Sequence, residues 1–197
     1  MSGYPMLLDG SRIRALIVGG GAVALRKALA LLESGASVRV VAPTIAPALS
    51  ALRGPRVVLE ERAYESTDIG DATLVIAATD VRAVNASVTA DARAAGRLVN
   101  VSDAPTEGDW VTVATHRAGP LIISVSTGGV PSAAARIRDA IGARFDARYG
   151  EALAALAALR GREMGSQWPA AESALVGPEF CDRVERGEIA ARVAAWR

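Results

Sequence analysis

A glycine-rich turn with small residues at fixed spacing offers the clearest chemistry in this chain. Gly19, Gly21 and Ala24 fill the pattern Gly-x-Gly-x-x-Gly/Ala, between four apolar residues and a helical pattern. The first glycine permits a tight bend, the second lets backbone approach a pyrophosphate, and the small third residue allows close helix packing. The amides that begin the helix then face the phosphates. The pattern predicts a dinucleotide site, although a plain strand-to-helix turn has the same spacing.

The second strand of such a fold usually ends in an acid that binds the ribose hydroxyls of the dinucleotide. In this chain Ala42, Pro43 and Thr44 stand at that point, and none of them carries a charge. The sequence therefore leaves open whether the coenzyme is NAD or NADP.

Polar residues follow two further apolar segments. Thr79 and Asp80 come after residues 74–77, and Asp103 closely follows residues 98–101. A carboxylate at the end of a strand can accept a proton from a bound substrate. From spacing alone, the residues favour a turn aspartate before Ala-Pro for Asp103. Asp80 is equally an N-cap for the helix that follows.

Alternating strands and helices must position these residues. Strands are predicted at residues 15–18, 37–41, 57–59, 74–77 and 98–101, with helices at 22–34, near 47–52 and at 81–95. Continuous apolar strands separated by helices indicate an α/β, Rossmann-type parallel sheet that is covered on both faces. Ligands bind at the carboxyl ends of such strands, so we expect the glycine turn, Asp80 and Asp103 to face one crevice.

The pattern changes after about residue 109. Residues 110–115 and 121–126 predict a pair of strands joined by a turn that contains His116. Such a pair exposes its edges unless a partner subunit covers them. Helix is predicted from Ser132, as N-cap, to residue 149, and again at 151–162, 178–186 and 188–196. The predicted domains are a Rossmann domain (1–112), a small β dimerisation segment (113–148) and a helical C-terminal domain (149–197).

Composition narrows the class of protein. The chain has 197 residues, is 51% hydrophobic and carries a net charge of +1, so we expect a globular protein with no nucleic-acid or membrane partner. The first ten residues lack a secretory pattern, and the single cysteine predicts neither a disulfide nor a cysteine-rich metal site. These features favour a cytoplasmic location. The only lysine, Lys27, and the only histidine, His116, are expected to be solvated.

The ordered set of motifs resembles the precorrin-2 dehydrogenase family, which comprises the N-terminal domains of siroheme synthases and their stand-alone relatives. The resemblance covers roughly residues 5–140. Five segments carry it: residues 18–27, 35–43, 77–85, 100–105 and 126–136.

The resemblance implies a homodimer that oxidises precorrin-2 to sirohydrochlorin with NAD. It implies that Asp103 is the catalytic residue. Because the chain has one histidine and one cysteine, no dedicated metal site is expected. The expected coenzyme contacts are Gly19, Gly20, Gly21, Ala22, Val23, Pro43, Thr44, Thr79 and Asp80. The expected substrate contacts are Asn100, Thr127, Gly128 and Gly129.

Three alternatives stay open at this point. Residues 127–129 can be a plain strand-to-helix turn. The protein can be a bifunctional enzyme that also inserts iron into sirohydrochlorin. It can also be an NAD-binding redox sensor or scaffold without turnover.

Overall fold

The fold is taken from a computed structural model, which describes residues 3–162 and 165–196. The chain divides into two compact units, Met1–Thr112 and Val113–Arg197. No helix among the described residues is both long enough and apolar enough to cross a membrane.

The first unit is a five-stranded parallel sheet with helices on both faces. Its strands are β1 (Arg14–Val18), β2 (Ser37–Ala42), β3 (Val57–Glu61), β4 (Leu74–Ala77) and β5 (Leu98–Val101). Its helices are α1 (Ala22–Glu33), α2 (Pro47–Ser50) and α3 (Arg82–Ala94). The strand order is β3-β2-β1-β4-β5, and every pairing is parallel. The predicted Rossmann-type sheet is therefore confirmed.

Neighbouring residues of the central strand enter opposite core layers because side chains alternate across a strand. Leu16, fully buried, packs in the layer that contains Val88 of α3. Ile17, also fully buried, packs in the layer that contains Ala24 and Ala28 of α1. A strand buried on both faces must be apolar throughout, which explains the unbroken run before the glycines.

The second unit combines a two-stranded antiparallel sheet with helices. The strands are β6 (Ala114–Ala118) and β7 (Leu121–Val125). The helices are α4 (Pro131–Arg144), α5 (Ala147–Arg160), α6 (Trp168–Leu175), α7 (Phe180–Glu185) and α8 (Ile189–Ala195). Leu156 of α5 is buried in one cluster with Leu175, Val184 and Ile189 of the last three helices. The predicted small β segment and helical C-terminal region are confirmed.

Two predicted elements were misplaced. The first strand of the pair was predicted at 110–115 but runs from Ala114 to Ala118, because Gly119, at φ 54°, and Pro120 form the turn. His116 therefore lies inside β6 and not in a solvated turn. It is half-buried, and its Nε2 donates to the Phe145 carbonyl oxygen at 2.6 Å.

The long helix predicted from Ser132 is two helices. Pro131 occupies the first turn of α4, where its fixed φ suits a helix start, and Ser132 is not the N-cap. The helix ends at Arg144. Asp146 then caps α5 by accepting from the Arg148 amide at 3.0 Å. The apolar spacing continues across the break, so it does not predict Asp146 as a helix cap.

Candidate functional site

The glycine turn between β1 and α1 is wedged between the ends of β2 and β4. Gly19 has φ 129°, and any side chain there would overlap the Ala78 carbonyl oxygen. Its amide donates to the Val41 carbonyl oxygen at 3.0 Å. A side chain at Gly20 would likewise overlap the Thr44 carbonyl oxygen. These two glycines are required by the protein's own backbone.

Gly21 differs from the two glycines before it. It is the N-cap of α1, and nothing beyond its chain neighbours lies within 4 Å of the position that a Cβ would take. Its φ of −94° is open to any residue. The absence of a side chain at Gly21 therefore leaves space outside the turn that a ligand can enter.

The first turn of α1 offers donors to an anion. An α-helix leaves its first amides without helical partners, and no side chain caps this helix. Ala22 is exposed and Val23 is half-buried, so both backbones can be reached from outside. Ala24 is fully buried and lets the helix lie close to the sheet. The helix dipole favours negative charge here, and a diphosphate fits this set of groups.

The end of β2 lies beside the glycine turn. Pro43 and Thr44 are both exposed, and the Ala46 amide donates to the Gly20 carbonyl oxygen at 2.9 Å. The loop after β2 is therefore hydrogen-bonded to the turn after β1. No acidic side chain lies between Ala42 and Ala46.

The end of β4 is held by a buried amide. Asn85 is fully buried, and its Oδ1 accepts from the Thr79 amide at 3.1 Å and from the Thr79 hydroxyl at 2.8 Å. Its Nδ2 donates to the Thr79 carbonyl oxygen at 2.9 Å. Asp80 is exposed, and Val81, without a side-chain bond, takes the N-cap position of α3. The alternative role of Asp80 as an N-cap is therefore not realised.

Asn100 and Asp103 lie at different depths. Asn100 is only 3% exposed, and its Nδ2 donates to the Trp110 carbonyl oxygen at 2.9 Å. Its position is interior, and direct contact with a substrate stays a prediction. The Asp103 side chain is 37% exposed, with Arg82 Nη1 4.0 Å from Oδ2. Arg82 also pairs with Glu107. Asp103 is therefore an accessible carboxylate at the carboxyl end of the sheet.

Lys27 was expected to be solvated, and this expectation was wrong. The side chain is buried, and its Nζ donates to the Thr112 hydroxyl at 2.9 Å and lies 5.9 Å from the centre of the Trp110 ring. Burial, with a smaller contribution from the neighbouring Arg26 cation, lowers the pKa of Lys27 to about 8. The segment that covers it is more than eighty residues away in sequence, so local pattern gave no signal.

An ion-pair cluster lies at the carboxyl end of the edge strand β3. Asp68 is 3% exposed and accepts from Arg62 at 2.6 and 2.8 Å and from Arg39 at 3.2 Å. Glu60 pairs with both arginines. The hydrogen bonds from Arg62, opposed by burial, lower the pKa of Asp68 to about 2. No local pattern predicts this cluster, because Arg39 lies 29 residues before Asp68 and no helical or strand periodicity links Asp68 to Arg62, six residues before it.

Thr127, Gly128 and Gly129 lie in the second unit, between β7 and α4. Gly128 has φ 64° and Gly129 has φ 111°, and nothing lies within 4 Å of either Cβ position. The Thr127 hydroxyl donates to the Val130 carbonyl oxygen at 2.6 Å. The glycines are needed here for backbone conformation, as a strand-to-helix turn requires.

The parallel sheet thus brings the predicted residues of the first unit to its carboxyl end, where Asn100 of β5 is buried and the others lie in or beside the loops that follow the strands. These others are Gly19, Gly20, Gly21, Ala22, Val23, Pro43, Thr44, Thr79, Asp80 and Asp103. Among the described residues, no group of three or more His, Cys, Asp or Glu side chains could hold a metal ion.

A doubly wound parallel sheet whose first strand ends in a glycine turn defines a dinucleotide-binding protein of the Rossmann class. The chain belongs to the family described as "Putative NAD(P)-binding", whose model matches residues 6–114. The predicted class of coenzyme is thereby confirmed.

The chain is also similar to larger proteins. It is 46% identical to the siroheme synthase of Pseudomonas entomophila (strain L48) over 149 residues, 74% of this chain and 32% of that protein. It is 41% identical to the siroheme synthase of Pseudomonas putida (strain W619) over 192 residues, 95% of this chain and 40% of that protein. The chain therefore spans 32 to 40% of the length of these two relatives. The predicted resemblance to siroheme synthases is confirmed.

The solved structure of "SirC, precorrin-2 dehydrogenase" matches with a TM-score of 0.78. The match covers 98% of this chain and 100% of that chain at 22% sequence identity. At this identity, the match establishes a shared fold.

Proposed function

We propose that the chain catalyses the NAD-dependent oxidation of precorrin-2 to sirohydrochlorin. The observation that carries the proposal is the position of Asp103, an accessible carboxylate at the same end of the sheet as the glycine turn. The similarity to siroheme synthases over 95% of the chain supports the choice of substrate, as does the fold shared with a protein named precorrin-2 dehydrogenase.

The described residues fit the coenzyme. The space beside Gly21 and the uncapped start of α1 suit its diphosphate. Pro43 and Thr44 would lie near its adenosine side, and Thr79 and Asp80 near its nicotinamide side. Bound NAD would accept the hydride that leaves the macrocycle.

The protein must manage the remaining proton. Oxidation of precorrin-2 removes two hydrogens, one as the hydride and one as a proton. Asp103 would accept that proton and release it to solvent, which its exposure permits. Asn100, which binds the Trp110 carbonyl oxygen, would keep the chain beyond β5 in place beside this carboxylate. Thr127, Gly128 and Gly129 would border the tetrapyrrole.

The same proposal includes a cytoplasmic homodimer that associates through residues 113–148, with residues 149–197 as a helical domain. Among the described residues, β6 and β7 pair only with each other, so each strand has one edge without a strand partner. A dimeric mass in light scattering at micromolar concentration is expected, and a monomeric mass would refute this part.

The test is anaerobic conversion of precorrin-2, followed by absorbance, with NAD and with NADP. Asp103→Ala is expected to keep coenzyme binding and to lose on the order of 10²-fold or more in turnover. Asp71→Asn, a change in an exposed carboxylate before β4, at the opposite end of the sheet, is the control and should leave turnover unchanged. Near-normal turnover in Asp103→Ala would remove Asp103 from the mechanism. Coenzyme binding without any conversion by the wild type would favour a sensor or scaffold.

A further inference from the structure

The end of β2 lacks the acid that normally binds the adenosine ribose of NAD, because Ala42, Pro43 and Thr44 stand there. We infer that Glu61, the last residue of the neighbouring strand β3, supplies this carboxylate and makes the site selective for NAD over NADP. The inference rests on the proposed dinucleotide site and identifies its specificity-determining residue.

The register of the sheet brings Glu61 to the required level. Glu61 is the Cα partner of Ala42 in the parallel pairing of β2 with β3. Neighbouring strands lie about 4.8 Å apart, so the Glu61 backbone is one strand spacing from the last residue of β2. A glutamate side chain can span that spacing. The carboxylate is therefore available at the end of β2 although β2 does not encode it.

Glu61 also lies on the correct face of the sheet. Leu59, two residues earlier, packs against the core layer that contains Ala24 of α1 and Ala42 of β2. Side chains two residues apart in a strand share a face, so Glu61 projects on the side of α1. That is the helix whose uncapped start follows the glycine turn.

The Glu61 carboxylate is free to bind a ligand. The side chain is exposed and makes no hydrogen bond or ion pair with any residue that the structure describes. Glu60 faces the other side of β3 and pairs with Arg39 and Arg62. Two adjacent glutamates thus have separate roles, one in the ion-pair cluster and one open to solvent.

The surrounding charges favour NAD. A carboxylate accepts hydrogen bonds from the 2′- and 3′-hydroxyls of a ribose, but repels a 2′-phosphate. Arg62, the next residue, could attract that phosphate, but its guanidinium is held by Asp68 and Glu60. The Glu61 carboxylate is therefore available to a ribose, whereas the Arg62 guanidinium is already paired and is not available to a 2′-phosphate.

Binding of NAD and NADP to the full chain by titration calorimetry tests this inference without any tetrapyrrole. The wild type should bind NAD more tightly than NADP. Glu61→Gln should weaken NAD binding about tenfold and largely remove the preference for NAD over NADP. Glu61→Asp keeps the charge on a shorter side chain, so its NAD affinity should lie between those of the wild type and Glu61→Gln. Asp71→Asn is the matched control and should change neither constant. Thermal melting checks that each variant is folded.

The outcomes separate the two proposals. If the wild type binds neither dinucleotide, the proposed function fails and this inference with it. If the wild type prefers NAD and folded Glu61→Gln keeps the same preference, the role of Glu61 is overturned while the dinucleotide site stands. If the wild type binds NADP at least as tightly as NAD, the proposed role of Glu61 is also overturned.

Discussion

The ammonium nitrogen of Lys27 lies 2.9 Å from the hydroxyl oxygen of Thr112, the last residue of the first unit. The only lysine of the chain is thus buried against a neutral acceptor, with no carboxylate partner among the described residues. Burying a cation without a counter-charge disfavours its protonated form. The contact joins α1 to the end of the first unit, but burial of the ammonium charge lowers the stability of the folded protein.

Lys27→Met is expected to raise the free energy of unfolding at pH 7 by on the order of 1 kcal/mol, because it removes this cost. The pKa of Lys27 is about 8 in the folded protein and 10.5 as its ordinary value. Between these values the unfolded chain binds more protons, so wild-type stability should rise with pH. Urea denaturation from pH 7 to 9.5 measures the effect. Equal pH slopes for the wild type and Lys27→Met would contradict this account.

Gly21→Ala and Gly20→Ala should fail in different ways. The Cβ of Gly21→Ala meets nothing within 4 Å, so this variant should melt near the wild type but bind NAD at least tenfold more weakly. Gly20→Ala should be destabilised by about 2 kcal/mol or more, because its Cβ overlaps the Thr44 carbonyl oxygen. Thermal melting and NAD titration on both variants distinguish backbone fit from ligand fit. Normal NAD binding by Gly21→Ala would place the diphosphate elsewhere.

Asp68→Asn should lower the free energy of unfolding at pH 7 by about 2 kcal/mol. Loss of one partner of a buried pair costs roughly 3–5 kcal/mol. The arginine side chains, 32% and 37% exposed, are partly hydrated, which reduces that cost. Because the folded-state pKa is lowered to about 2 from 3.8, the contribution is present above pH 3.8 and is lost as pH falls through 2. Stability of the variant should therefore vary less than the wild type's across that window.

For this variant, Asp71→Asn is again the control, since its pair with Arg14 is largely exposed and should contribute little. An acid-induced loss of stability that is identical in Asp68→Asn and the wild type would assign the acid sensitivity to other carboxylates.

Asn85→Ala should loosen the turn after β4. The substitution removes three hydrogen bonds to Thr79 from a fully buried site and should cost about 2–3 kcal/mol. The exposed segment around Asp80 should then exchange its amide hydrogens faster, and NAD affinity should fall. Hydrogen exchange measured by mass spectrometry checks the turn directly. Unchanged exchange at residues 79–81 would show that the backbone holds the turn without Asn85.

Local pattern was sufficient where one segment determines its own structure. The buried strands, the glycine turn and α1 follow from apolar runs, permissive glycines and helical spacing within short windows. The parallel sheet then placed Gly19, Asp80 and Asp103 at one end, as expected. Residues 110–113 were wrongly predicted as strand, because an apolar stretch before a turn resembles one. The actual turn lies later, at Gly119 and Pro120, so β6 starts at Ala114.

The remaining features depend on partners distant in sequence. Lys27 is buried only because Thr112 and Trp110 return to α1. Asp68 is buried beside Arg62, which is near it in the chain, and beside Arg39, which lies 29 residues before it. The inferred role of Glu61 depends on its pairing with Ala42, and no pattern within β3 predicts that pairing. Burial of such polar groups requires hydrogen-bond or ion-pair partners, and these partners can be identified only from the folded structure.

The hydrogen bonds on the two sides of the glycine turn have one more consequence. The Gly19 amide donates to the Val41 carbonyl oxygen, and the Gly20 carbonyl oxygen accepts from the Ala46 amide. The backbone on both sides of Gly20 is therefore held in place by the protein's own hydrogen bonds. Ordering this turn would therefore add little to the entropy cost of dinucleotide binding.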